Sequence, residues 1–275
     1  MRTLYIAGTL ALALAACTRP AASPAGPNVI TIAANDYAFA APETIPAGLT
    51  TLKMLNLGRE PHQAVVMGAT RKSWDEIRAA MMSPTAFPSW LRFPGGPGVV
   101  VTGDSSNATS RLEPGNYFIV CMIASPDGVL HVMKGMVRRL VVVPAPLTVG
   151  APPPEPRADV VATLSDYAFT LSAPLTAGTQ TIQVENVGPQ LHELGIEQLA
   201  PGKTLADLQR WIASGMTGAP PTRPIGGFVG PDVGKKGWFT VTLAPGKYVL
   251  SCYVPDAKDG KPHVLYGMVQ EITVN

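Results

Sequence analysis

The stretch Leu112-Glu113-Pro114-Gly115-Asn116-Tyr117-Phe118-Ile119-Val120-Cys121 returns 131 residues later as Leu243-Ala244-Pro245-Gly246-Lys247-Tyr248-Val249-Leu250-Ser251-Cys252. In each, a Pro-Gly turn feeds a run rich in β-branched and aromatic residues, the mark of a strand entered through a tight turn. Working outward, other blocks pair at nearly the same offset. Asp36-Tyr37-Ala38-Phe39 answers Asp166-Tyr167-Ala168-Phe169, and Pro46-Ala47-Gly48 answers Thr176-Ala177-Gly178. Asn56-x-Gly58-x3-His62 answers Asn186-x-Gly188-x3-His192, and His131-Val132-x2-Gly135-Met136 answers His263-Val264-x2-Gly267-Met268. Five blocks in one order, with the offset drifting only from 130 to 132, mean that one domain is written twice.

The copies run over residues 28–143 and 157–275, and residues 144–156 between them hold six prolines, a stiff extended linker. Val29-Ile30-Thr31-Ile32, Thr50 to Leu55, Ala64 to Met67 and Val137 to Val143 have strand composition. Short strands between turns predict an all-β fold of two tandem Greek-key β-sandwiches. Each copy also carries a short helical insertion. Ser73-x-x-Glu76 has the form of a capping box, with Trp74, Ile77 and Met81 on one face. Its counterpart starts at Thr204, with Leu205, Leu208 and Ile212 as the stripe and Gly215 as the stop. Both read as helices that close an edge of their sandwich rather than as lids.

Composition agrees. Of 275 residues only 15% are charged, while 27 Gly and 28 Pro are spread along the chain, which suits many turns and argues against a helical bundle. The net charge is +2 and no Lys/Arg run exceeds two residues, so there is no electrostatic footprint for nucleic acid.

The N-terminus reads as an address. Arg2 precedes thirteen uncharged residues, Leu4 to Ala16, too few to span a bilayer. Leu14-Ala15-Ala16-Cys17 resembles a bacterial lipobox, which makes residues 1–16 a signal peptide, Cys17 a lipidated mature N-terminus and residues 17–27 a tether. The alternative is an ordinary signal peptide with a cysteine nearby. Thr18 after the cysteine implies the outer membrane. The expected location is extracytoplasmic, on a bacterial membrane and facing the periplasm, with the lipid as the only membrane contact.

The remaining two cysteines and all four histidines fall at equivalent points of the copies. The sets are His62, Cys121, His131 and Met136, then His192, Cys252, His263 and Met268. Two imidazoles and a thiolate, with a weak thioether on the axis, make a blue-copper electron-transfer site. The pattern resembles the cupredoxins, the family of plastocyanin and azurin, over essentially the whole mature chain. Gly115-x-Tyr117-x3-Cys121, Gly246-x-Tyr248-x3-Cys252 and the two His-x4-Met runs carry the resemblance, with Pro61-His62 as a further family trait that the second copy replaces by Leu191-His192. The nine residues between Cys121 and His131, and the ten between Cys252 and His263, are longer than in plastocyanin or azurin and look more like the blue-copper loop of copper nitrite reductases. Asp127-Gly128 and Asp259-Gly260 supply the turn in each loop. The resemblance implies two type 1 copper ions.

Other readings compete. Zinc would not explain a Met placed identically twice. A Cys–His nucleophile would lack a recurring orienting acid. A Cys121–Cys252 disulfide would need equivalent cysteines of two sandwiches to meet. A cupredoxin fold that has lost copper would usually lack a ligand, and all eight are here. After four histidines are assigned, none is left for a type 2 or trinuclear centre, so the chain is not expected to be an enzyme by itself. The leading function is electron transfer with redox partner proteins. The alternatives are copper storage or delivery, or an interaction module without metal. Two finer expectations follow. The second histidine of each site should reach the surface through an apolar patch, with Val129, Leu130, Val132 and Met133 around His131 and Pro262, Val264 and Leu265 around His263. The first site should be the more oxidising, because Gln63 and Lys134 stand where the second copy has Glu193 and Tyr266.

Overall fold

In the computed structural model, residues 26–82, 87–146 and 152–275 are described. Residues 1–25 lie outside them, and with them the expected signal peptide 1–16, the expected lipidated Cys17 and most of the expected tether 17–27, as do residues 147–151 of the expected linker. The first copy forms β1 (Asn28–Asn35), β2 (Ala38–Ala40), β3 (Thr44–Pro46), β4 (Gly48–Asn56), β5 (Val65–Ala69), helix α1 (Trp74–Met81), β6 (Ser105–Leu112), β7 (Gly115–Val120) and β8 (Val137–Val143). The second forms β9 (Val160–Ser165), β10 (Ala168–Leu171), β11 (Gly178–Asn186), β12 (Leu194–Leu199), helix α2 (Leu205–Ala213), β13 (Thr222–Phe228), β14 (Lys236–Leu243), β15 (Gly246–Ser251) and β16 (Val269–Val274). The fold is mostly β, with two α-helices among the described residues.

Each copy places four strands in one eight-stranded sheet, ordered β10-β9-β11-β14-β6-β4-β1-β2, and four in a sheet of its own, β3-β8-β7-β5 or β13-β12-β15-β16. Strand alternation then sorts side chains between two layers. On β7 and just beyond, Tyr117, Ile119 and Cys121 point into the core with Ile32, Met54, Leu140 and Met136, while Phe118 and Val120 face α1. On β15, Tyr248, Leu250 and Cys252 face the second core and Val249 faces α2. The tyrosine that opens each strand donates its hydroxyl hydrogen back to the preceding turn, to the carbonyls of Glu113 and Ala244. That bond explains why Pro-Gly-x-Tyr recurs.

Both helices begin with capping boxes, Ser73 with Glu76 as the spacing predicts, and Thr204 with Asp207, where the shorter acid serves equally. Their buried faces, Ile77 and Ala80 on α1 and Leu208 and Ile212 on α2, cover the outer sides of the small sheets.

The copies meet along equivalent segments. Pro94 bridges Pro231, Pro97 bridges Phe228 and Val100 bridges Ile225, all antiparallel. At the local offset of 131, Pro97 and Phe228 are counterparts, so the contact runs symmetrically about that pair. A second such contact joins β6 to β14, where the Asn107 side chain donates to the Thr240 carbonyl and accepts from the Thr240 N–H. The Phe228 ring lies in a slot that only glycines permit: a Cβ on Gly95 or Gly237 would come within 2.2 or 2.1 Å of it.

Candidate metal centre

The first copy's site is assembled by backbone bonds around the ends of β5, β7 and β8. His62 exchanges both backbone bonds with Val100, at 3.1 and 3.0 Å. Past Cys121 the chain turns at Asp127-Gly128, where Gly128 has φ of +79°, and returns so that Val132 N–H donates to the Cys121 carbonyl and Met136 N–H to the His131 carbonyl. Cys121 N–H donates to the Met136 carbonyl at 3.3 Å, so the thiol and thioether residues are neighbours, and both are fully buried. The second copy repeats these bonds among Cys252, His263, Val264 and Met268.

The result is two closed groups, His62–Cys121–His131 and His192–Cys252–His263, with donor atoms in each within 4.8 Å of one another. Among the described residues no other such group occurs. In the first, the two imidazole Nδ1 atoms lie 3.0 Å apart and the Cys121 Sγ lies 3.8 Å from His62 Nδ1 and 3.3 Å from His131 Nδ1. That triangle has a centre about 2 Å from all three atoms, against ~2.0–2.3 Å for nitrogen– and thiolate–metal bonds. The second group matches, with Nδ1 to Nδ1 at 3.1 Å and Cys252 Sγ to His263 Nδ1 at 3.3 Å. All six side chains are at 0% exposure, and both cysteines are free thiols, so the Cys121–Cys252 disulfide is not formed.

A layer of carboxylates surrounds these groups, and the sequence reading did not anticipate it. His62 Nε2 donates to Asp36 Oδ1 and His192 Nε2 to Asp166 Oδ1, both at 2.8 Å. His131 Nε2 donates to Glu60 Oε2 at 2.8 Å. His263 Nε2 faces Asp256 Oδ2 at 3.6 Å and has no hydrogen-bond partner. A proton held on Nε2 leaves Nδ1 as a bare lone pair. Two such lone pairs 3.0 Å apart beside a sulfur are mutually repulsive unless a cation stands between them. The donor chemistry therefore fits a metal ion.

Burial sets the protonation states. It pushes His62, His192 and His263 below the usual histidine range, outweighing their acid partners, so these rings are neutral at pH 7. It pushes the Cys121 thiol up to about 11, and the Cys252 thiol up as well. Burial alone would also raise Asp36, but the Arg59 N–H and His62 hold it below the usual carboxylate range. For Glu60 burial again opposes ionisation, and the Tyr37 hydroxyl, His131 and Ser125 overcome it.

The repeated motifs find their reasons here. Asp36 and Asp166 come from the duplicated Asp-Tyr-Ala-Phe block, an identity that the strand pattern alone does not require. Asn56 and Asn186 are buried and tie down the turn before the first histidine, each donating to two backbone carbonyls and accepting from the N–H of the following glycine. Those glycines, Gly58 and Gly188, give the ring room: a Cβ on Gly58 would lie 2.3 Å from Asp36 Oδ1 and 2.5 Å from His62 Nε2, and one on Gly188 would lie 2.6 Å from His192 Nε2.

The expectation of a surface-exposed second histidine is corrected. His131 and His263 are buried under the carboxylates and under Tyr37 and Tyr167, whose rings lie 5.0 and 5.5 Å from them. Val132 and Val264 pack inward beneath the helices, while Val129, Met133 and Leu265 remain exposed.

No protein-family model and no curated protein sequence matches the chain. Among solved structures, the auracyanin of the photosynthetic bacterium Roseiflexus castenholzii is 19% identical, aligning over 44% of this chain and 100% of its own at a TM-score of 0.29. Auracyanin B is 22% identical over 44% of this chain and 91% of its own, also at 0.29. A multicopper oxidase is 15% identical over 90% of this chain and 88% of its own, at 0.27. Likenesses this distant do not decide what the centres do, and that reading rests on their own geometry.

Proposed function

We propose that this chain is an extracytoplasmic electron-transfer protein holding two type 1 copper ions, one per copy. His62, Cys121 and His131 hold the first with Met136 beside them, and His192, Cys252 and His263 hold the second with Met268. The single observation behind this reading is the pair of closed, fully buried His–Cys–His triangles, each sized for one metal ion. Copper bound there would take up and release one electron. The chain's own residues do the rest: two imidazoles turn Nδ1 inward, the thiol gives up its proton on loading, and complete burial keeps water out. Burial of every ligand suits a metal that stays in place better than one handed on. With all four histidines in these groups, none is left for a further histidine-built copper centre in this chain, and we infer that it is not itself an oxidase or reductase. In the same reading, residues 28–143 and 157–275 are two Greek-key cupredoxin-like sandwiches joined by 144–156. Residues 1–16 are the leader, and Cys17 carries the lipid that holds the body on the outer membrane, where it meets its redox partner proteins.

The test is metal counting and a visible spectrum on the full chain loaded with copper(II). Two coppers and a blue colour that cycles reversibly are expected. Cys121→Ser and Cys252→Ser should each remove one copper and its share of the colour, and the double variant all of it. A double variant that stays blue would overturn the ligand assignment, and rapid loss of copper to a mild chelator would favour copper handling instead.

A further inference from the structure

The second histidine of each centre meets its acid by a different route. In the first copy Glu60 holds His131, and Ser125, on the Cys–His loop, donates its hydroxyl to the Tyr37 oxygen. Position 60 corresponds to 190, which is Gln, and position 125 to 256, which is Asp. In the second copy, then, the acid has moved to the other loop, and an amide has taken its former place. Asp256 faces His263, accepts the Tyr167 hydroxyl at 2.6 Å and accepts Gln190 Nε2 at 3.0 Å. Glu60 likewise accepts the Tyr37 hydroxyl, at 2.7 Å. Two positions have exchanged character together, and the tyrosine and the carboxylate above the ring are kept. A carboxylate needed only for solubility would not be matched in this way, because either loop could then carry any polar residue.

We propose that Glu60 and Asp256 are positioning residues, each holding the proton of its centre's second histidine on Nε2 with Nδ1 bare toward the thiol, Glu60 through a hydrogen bond at 2.8 Å and Asp256 by its charge at 3.6 Å without one, and that this acid is required whichever loop supplies it. The inference rests on reading the two triangles as metal centres. A carboxylate facing Nε2 favours the proton there and makes the opposite nitrogen a better donor to a cation, and where it accepts the N–H, as Glu60 does, it also fixes the ring plane. An amide at the same place can turn either its oxygen or its NH2 to the ring and selects no tautomer.

The test transplants the second copy's arrangement into the first, in the full chain carrying Cys252→Ser so that only the first centre reports. Nitrogen NMR of the copper-free chain reads the His131 tautomer, and competition with a chelator reads copper(II) affinity. Glu60→Gln should give a mixture of tautomers and weaken copper(II) binding ten- to hundredfold, the usual loss when an outer partner of a metal-bound histidine is removed. Adding Ser125→Asp to Glu60→Gln should restore one tautomer and bring affinity back to within about threefold of the starting chain. If Glu60→Gln changes neither reading, or Ser125→Asp restores neither, the acid is not part of the centre and the proposal falls. Should the starting chain bind no copper while its His131 tautomer still follows the acid, the metal reading fails and the positioning role stands.

Discussion

Between the small sheet and the helix, the two copies are filled with opposite chemistry. Under α1, Met67, Val120 and the partly buried Met122 form an apolar layer. The equivalent positions under α2 are Glu197, Ser251 and Tyr253, with Glu193 where the first copy has Gln63. Glu197 is buried and accepts the hydroxyls of Ser251, at 2.6 Å, and of Thr222. Glu193 accepts the Tyr253 N–H at 2.8 Å, and burial, opposed by that bond and reinforced by Glu197, pushes its carboxyl up to about 7. These acids begin one residue from a candidate ligand, yet the His–Cys–His triangle has the same edges in both copies to within 0.1 Å where both are measured. Geometry at the centre is therefore set by the backbone bonds among its loops and by the Asp–His contacts, not by what fills the layer outside.

Three measurements can break or sharpen this comparison. The largest effect belongs to the contact between the copies. Phe228 is fully buried against Gly95 and Gly237, so Phe228→Ala should cost about 3–5 kcal/mol in denaturant unfolding of the copper-free chain. Its counterpart change, Pro97→Ala, removes fewer buried atoms and should cost less than half as much. Equal costs would mean that the ring is not what fills the contact.

Next comes the acid layer. The Glu193 carboxyl titrates near 7 in the folded copper-free chain and near 4.5 when unfolded, so the folded state binds its proton more tightly. Stability from this group is complete below about pH 4.5 and is lost as pH rises through about 7, by at most about 3 kcal/mol. Glu193→Gln should flatten that part of the profile, making the second copy resemble the first. An unchanged profile would show that the carboxylate finds water or a donor when ionised.

The smallest effect concerns the order of potentials. Lys134 was expected to make the first centre the more oxidising, but its ammonium is paired with Asp127 at 2.8 Å. His131 is bonded to its carboxylate, whereas His263 is not, and negative charge delivered through the ring favours Cu(II). At pH 6 the second centre should be the more oxidising by on the order of tens of millivolts. Redox titration of the two single Cys→Ser variants decides it, and a first centre that stays higher at pH 6 would mean that Lys134 acts despite its partner.

The eight candidate ligands and the two helices were legible because duplication marks them: a residue found twice at a fixed offset stands out from the loops around it. The same device hides Glu60 and Asp256. Their positions hold different residues in the two copies, so self-comparison reads them as noise. Asp36 and Asp166 were visible as identities, but they lie 26 residues before their histidines and are joined to them only when the chain turns back. The meeting of residues 94–100 with 225–231 was also illegible. It is a backbone pairing between Gly- and Pro-rich segments, with no side-chain period to betray it. The exposed-histidine expectation failed for a related reason, since the tyrosine that covers the ring in each copy, and Glu60 in the first, come from loops distant in sequence.

The pairing of Pro97 with Phe228 has a consequence for what the two halves can become. Where identical subunits meet on a two-fold axis, each contact of one residue with another occurs twice and only a residue on the axis faces itself, so the surface must be complementary to its own image and any substitution enters twice. A single chain that encodes both sides is released from that constraint. Ala108 from one half packs in one cluster with Phe228 and Phe239 from the other, and Pro97 bridges Phe228, so two small groups stand beside two large rings. Four rings would overfill that space and four small groups would leave it hollow. The halves are thus no longer interchangeable: each is shaped as the other's cast, and neither could build this contact with a second copy of itself.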